Sequence, residues 1–226
     1  MSSAFDDTTT DEAARAQPTA DAPREAALPA PRERRRPGTD VALVATFAAF
    51  VAACALVPPI PTGSGVPITL QTFGVVLAGL VLGPLRGFLA VALYLVVGLA
   101  GVPVFAEMTG GLGVLGKPSV GYLLSFPLAA AVAGLLSRVA LRAPLRWRWA
   151  ALAAAGLGAS FLTVHPAGIA GLVWRAGLDL PAAFLVDVVY WPGDVVKNLL
   201  AGAVTVAVLR AYPDLRPDAR ARAPRP

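Results

Sequence analysis

Residues 191–200 read WPGDVVKNLL, a stretch that places an acid, a base and an amide within five positions of an otherwise apolar segment. Pro192 suits the first turn of a helix, where its missing N–H is not needed. At about 100° per residue, Asn198, Ala201 and Thr205 fall within about 40° of Asp194, and Lys197 about 60° away. Val195, Val196, Leu199, Leu200 and Val206 take the remaining surface. One narrow polar stripe therefore faces a bundle interior or a cavity. Ionisable groups at membrane depth cost roughly 2.5–3.5 kcal/mol on insertion scales and by default mark a functional pathway. The plain alternative is that Asp194 caps the helix while Lys197 snorkels or pairs with it. Lysine is not the default base here, because the chain has seventeen Arg and two Lys. A carboxylate and an ammonium on one face suit a small ligand that offers both donors and an acid group.

A second polar region is the Gly-rich break VPVFAEMTGGLGVLGKPSVGY at 102–122. Its GLGVLG matches the dinucleotide fingerprint, but that motif works only between a strand and a helix of a βαβ unit, which this sequence does not supply. The break reads instead as an outer loop that folds across a ligand, bordered by Glu107 and Lys117; ordinary surface charge is the competing reading for both. Gln71 and Tyr94 are polar groups within reach of a cavity. His165, before Pro166, reads as a hydrogen-bonded kink residue rather than a ligand. One cysteine and one histidine exclude a disulfide framework and Cys- or His-rich metal sites, and no cofactor is expected.

The elements that hold these residues are written for lipid. Of 226 residues, 56% are hydrophobic and 15% charged, and the mean hydropathy is +0.66. A soluble domain carries about 25% charged residues. Eight of the fourteen acids lie in residues 1–40, and only Glu107, Asp179, Asp187 and Asp194 lie in 41–209. The expectation is an all-α integral membrane protein: a disordered tail over 1–40, a transmembrane domain over 41–210 and a basic tail over 211–226. VAAC at 51–54 resembles a lipoprotein cleavage box ending in Cys54. A leader of more than fifty residues with further spans behind it argues instead for a first transmembrane helix. Further apolar segments run at about 68–82, 88–103, 119–136, 149–172 and 183–209. Alternating sides from the basic tail puts sixteen Arg on one side, against Lys117 and Arg175 on the other. That asymmetry predicts six helices with both ends cytoplasmic. It also accounts for the pI near 10.0 without nucleic acid. No repeat is visible, so an inverted-repeat transporter is not suggested. Ala45, Ala49 and Ala53 form a small-residue ridge on the first segment that permits close helix approach.

VPITLQTFGVVLAGLVLGPLRG at 66–87, YLVVGLAGVPVFA at 94–106 and WPGDVVK at 191–197 resemble the BioY family. With GLGVL and GYLLSFPLA, the similarity covers most of residues 41–210. The family comprises biotin-specific substrate-binding (S) components of energy-coupling factor transporters. The resemblance implies the S-component fold, a biotin site near the outer face, and a bacterial plasma-membrane location. It implies a partnership with a transmembrane T component and paired ATPases, or work alone as a homo-oligomer; nothing in the chain itself hydrolyses ATP. It assigns ligand contacts to Asp194 and Lys197, with Asn198 beside them, and T-component docking to Ala45, Ala49 and Ala53. Biotin offers two ureido N–H donors to a carboxylate and a carbonyl or valerate to an ammonium, with Tyr94 and Tyr122 covering its ring. The chain departs from the family pattern at Glu107 and at Lys117-Pro118-Ser119-Val120, so lid closure is expected to differ. Two rivals are an S component for another vitamin and, more remotely, an intramembrane aspartyl protease. For the latter, WPGD supplies Asp194, and Asp187 seven residues earlier shares a helix face with it, but no second helix offers an Asp partner.

Overall fold

Proline and glycine mark most helix boundaries in this chain. The computed structural model describes residues 37–215; residues 1–36 of the expected N-terminal tail and most of the basic C-terminal tail lie outside them, whereas residues 37–40, expected as tail, already belong to the first helix. Helix α1 (Pro37–Leu56) opens on a proline. Helix α2 (Gln71–Leu82) stops at Gly83, and α3 (Pro84–Leu99) starts on the next residue. The whole reversal is made at Gly83, whose φ of 81° is a conformation that a side chain disfavours. The expected GPLRG turn is thus a single residue, and Arg86 already lies in α3, ion-paired with Asp40 of α1. Helix α4 spans Val120–Ala140.

Helices α5 (Arg148–Ala159) and α6 (His165–Ala176) are joined by one π-helical turn, Ser160–Val164, into a rod of 29 residues. Pro166 cannot donate to the carbonyl four residues back, and the wider turn accommodates that loss. Gly177, left-handed at φ 67°, ends the rod. Asp179 then caps α7 (Leu180–Val188), its carboxylate accepting from the Ala182 N–H at 2.8 Å. The last apolar stretch, expected as one helix over 183–209, is broken at residues 189–190. Helix α8 (Trp191–Ala211) begins there with Pro192 in its first turn. Among the described residues, β structure is limited to two isolated bridges, Ile60 with Ile68 and Phe105 with Thr109.

Four helical stretches, α1, α4, the α5–α6 rod and α8, are long and apolar enough to cross a membrane, while α2 and α3 are apolar but shorter. Helix α2 is apolar almost all round and buried at every position except Thr72, as befits a helix surrounded by others; it packs against α1, α3, α4 and α8. Two apolar clusters divide the bundle. One, with Leu80, Leu82, Ala140, Leu141, Leu152 and Leu209, lies towards the α2–α3 reversal. The other gathers Val66, Phe105, Val114, Tyr122, Phe126 and Tyr190 around the connecting loops. Large apolar side chains such as Leu85, Val96, Leu128, Leu162, Leu185 and Val196 are exposed. Apolar surface on this scale belongs against lipid.

Candidate functional site

Three stretches converge on one cavity: residues 65–72 leading into α2, residues 105–119 between α3 and α4, and the start of α8. Tyr122, Leu123 and Phe126 of α4 and Val164 of the π turn complete the wall. Its volume is about 320 Å³, at the small end of the roughly 300–1,000 Å³ range of small-molecule sites.

The floor is polar. Asp194 and Lys197 sit one turn apart at the start of α8, Nζ to Oδ1 2.6 Å, with side chains 5% and 13% exposed. Lys197 Nζ also donates to Thr72 Oγ1 at 2.8 Å and to the Thr69 carbonyl at 3.2 Å. Thr72 Oγ1 in turn donates to Asp194 Oδ1 at 3.3 Å. The three N–H groups of the ammonium therefore meet three acceptors. The residues buried on α8 are Asp194, Asn198, Ala201, Gly202, Thr205 and Leu209, so the polar stripe faces inward as its spacing predicts. The helix N-terminus adds a favourable partial charge beside the Asp194 carboxylate.

Behind the floor stands a second acid that the sequence reading gave no binding role. Asp187, at the end of α7, is fully buried. It accepts from Tyr122 Oη at 2.8 Å and from Trp191 Nε1 at 2.9 Å. His165 Nδ1 lies 3.0 and 2.9 Å from its two oxygens and donates to it. The other imidazole nitrogen, Nε2, faces Asp194 Oδ2 at 3.4 Å. The π turn and the break before α8 swing these residues together. An Asp in an apolar helix was the available signal, and only the fold identifies its partners. The expectation that no second helix offers Asp194 an Asp partner does not hold, because Asp187 lies on α7 and Asp194 on α8. An imidazole stands between them, where a protease dyad shares a proton directly.

Of the expected site residues, Gln71, Glu107, Tyr122, Asp194 and Lys197 line the cavity; Tyr94 and Asn198 do not. Tyr94 stands behind the wall: its hydroxyl accepts from Gln71 Nε2 at 2.7 Å and donates to the Val104 carbonyl at 3.2 Å, and its ring packs edge-on against Phe105. Phe105 takes the lining position, over Gly98, where a Cβ would come within 2.1 Å of the ring. Asn198 lies one turn below Asp194 and donates to its carbonyl oxygen at 2.8 Å. Another aromatic on the lining is Tyr190, which the sequence reading missed. Its hydroxyl donates to the Val66 carbonyl at 2.8 Å and its ring meets Tyr122 edge-on, so it ties the 57–70 loop to the start of α8.

Glu107 and Lys117 face each other across the rim at 3.9 Å, with side chains 56% and 40% exposed. Glu107 and Met108 both have positive φ, 60° and 53°. Such residues store about 1–3 kcal/mol each and gather at ligand clamps. Ala45, Ala49 and Ala53 all lie exposed along one face of α1, away from the cavity lining.

An all-helical membrane protein with a small cavity, apolar in its walls and ionic at its floor, is built to bind a compact amphipathic solute. A model of the BioY family matches residues 29–214, and the chain belongs to that family. Similar proteins include the biotin transporter BioY of Rhodobacter capsulatus, 40% identical over 186 residues, which span 77% of this chain and 95% of that one. The biotin transporter BioY of Rhizobium etli is 36% identical over 178 residues, with 77% and 95% covered. A solved S-component for biotin from an ECF-type ABC transporter shares the fold, with a TM-score of 0.70 at 23% identity over 79% of this chain and 95% of that one.

Proposed function

We propose that the chain takes up biotin as the S component of an ECF-type transporter. The observation that carries this reading is the buried Asp194–Lys197 pair at the floor of an otherwise largely apolar cavity, in a chain of the BioY family. The bicyclic body of biotin fits against Tyr122, Tyr190, Phe105 and Phe126. The urea group meets the floor: Asp194 accepts from its N–H groups, and Lys197 exchanges its longest bond, to the Thr69 carbonyl, for the ureido oxygen. Gln71 lines the same cavity, and Tyr94 and Asn198 hold lining and floor residues from behind.

In this reading α2 and α3 join the four longer helical stretches to give six crossings of a bacterial plasma membrane. Both chain ends are cytoplasmic, and the cavity opens on the outer, Arg-poor side. The exposed alanines of α1 receive a T component with its paired ATPases; without those subunits the chain acts as a homo-oligomer. Thermal unfolding of the purified protein with a panel of vitamins tests the ligand. Biotin should raise the midpoint at micromolar concentration, because ligand that binds only the folded state stabilises it. Stabilisation by a different vitamin, with none by biotin, would overturn the assignment.

A further inference from the structure

Two cations line the cavity, and they are not equivalent. Lys197 lies deep, 13% exposed, with its three donors engaged and a carboxylate at 2.6 Å. An anion arriving there meets a charge already neutralised by Asp194 and must displace one of its bonds. Lys117 sits at the rim, 40% exposed, and its charged neighbour among the described residues, Glu107, is 3.9 Å away, beyond hydrogen-bonding distance. Among the described residues its Nζ makes no hydrogen bond, which leaves its donors available to a ligand that enters the mouth.

We infer that Lys117 is the specificity-determining residue for the acid end of the ligand. It binds the ligand carboxylate at the cavity mouth, while the Asp194–Lys197 floor recognises only the neutral polar end. Glu107 is the internal competitor: it holds Lys117 across the mouth in the empty protein and gives way to the ligand carboxylate. The loop geometry suits such an exchange. Glu107 and Met108 are held at positive φ, and relaxing one of them moves the Glu107 carboxylate without unfolding α3 or α4. The inference rests on the biotin reading, in which the two polar ends of the ligand lie at opposite ends of the cavity.

The test is the ratio of affinities for biotin and for its neutral amide, measured by titration on folded, monodisperse protein. Wild type should prefer biotin, and Lys117→Gln should lower that preference by roughly tenfold, about 1.4 kcal/mol. Lys117→Arg should retain most of it. Glu107→Gln should increase it, because the competing anion is gone. The preference should weaken with added salt, as for any partly exposed ion pair. Lys197→Met should weaken both ligands alike and leave the ratio unchanged. A wild-type ratio in Lys117→Gln, or a ratio abolished by Lys197→Met, would overturn the inference while leaving the biotin reading in place. Failure of the wild-type protein to bind biotin at all would remove the underlying reading and this inference together.

Discussion

The residue that organises the site is one that does not itself line the cavity. Asp187 receives hydrogen bonds from three side chains, Tyr122, His165 and Trp191, on three different helices. Removing it strands two buried donors, on Tyr122 and His165, each at a cost of about 1–3 kcal/mol, and the half-buried indole N–H of Trp191. Asp187→Ala should therefore lower the thermal midpoint markedly and weaken ligand binding through the displaced Tyr122, whereas Asp187→Asn keeps one acceptor and should be milder. Equal melting of Asp187→Ala and wild type would show that the network contributes nothing. Reading single residues from the sequence succeeded where the period of a helix governs. The stripe of Asp194, Asn198 and Thr205 is buried on α8 because 100° steps put it on one face. Tyr94, Tyr190 and Asp187 were not legible in this way, since their roles depend on which wall each side chain enters. Tyr94 is displaced from the lining by Phe105, eleven residues away.

Helix positions followed from the apolar runs and a kink was expected at His165, but the form of two interruptions was not. The π turn at Ser160–Val164 and the break ahead of Trp191 both occur inside continuous apolar sequence, where hydropathy has no contrast to report. Pro166 and Pro192 were the available marks, and each sits just after the irregularity it accompanies. Between them these two irregularities carry His165, Asp187 and Asp194 to one point. The junction of α3 with the following loop offers a direct test of close packing. A methyl group at Gly98 would overlap the Phe105 ring, and overpacking of this kind costs about 1–3 kcal/mol. Gly98→Ala should shift Phe105 into the cavity and weaken biotin binding at least fivefold, with helix content unchanged by circular dichroism. Unaltered affinity would mean that the ring is not fixed in the wall. On α1, Ala49 is exposed and remote from the cavity. Ala49→Trp should abolish co-purification with a T component and leave biotin binding as it was; loss of binding in detergent would instead make the alanine face part of the internal packing.

At the scale of the whole molecule, charge and cavity point the same way. Lys117 lines the cavity and Arg175 sits in the last turn of α6, while Arg86, the four Arg of 138–148 and Arg210 lie on the other connections and helix ends. In a background lacking the buried Cys54, Gly113→Cys should react with an impermeant thiol reagent in intact cells and Arg146→Cys should not. Labelling at position 146 would contradict the orientation. The central claim is that Asp194 and Lys197 form the recognition floor for biotin, and calorimetric titration of folded, monodisperse protein tests it most directly. Wild type should bind biotin saturably at one site. Asp194→Asn and Lys197→Met should each bind roughly ten- to a hundredfold more weakly, as expected for charged hydrogen bonds of about 1.5–3 kcal/mol. Wild-type affinity in both variants would contradict the account and leave the pair as a helix cap and its neighbour.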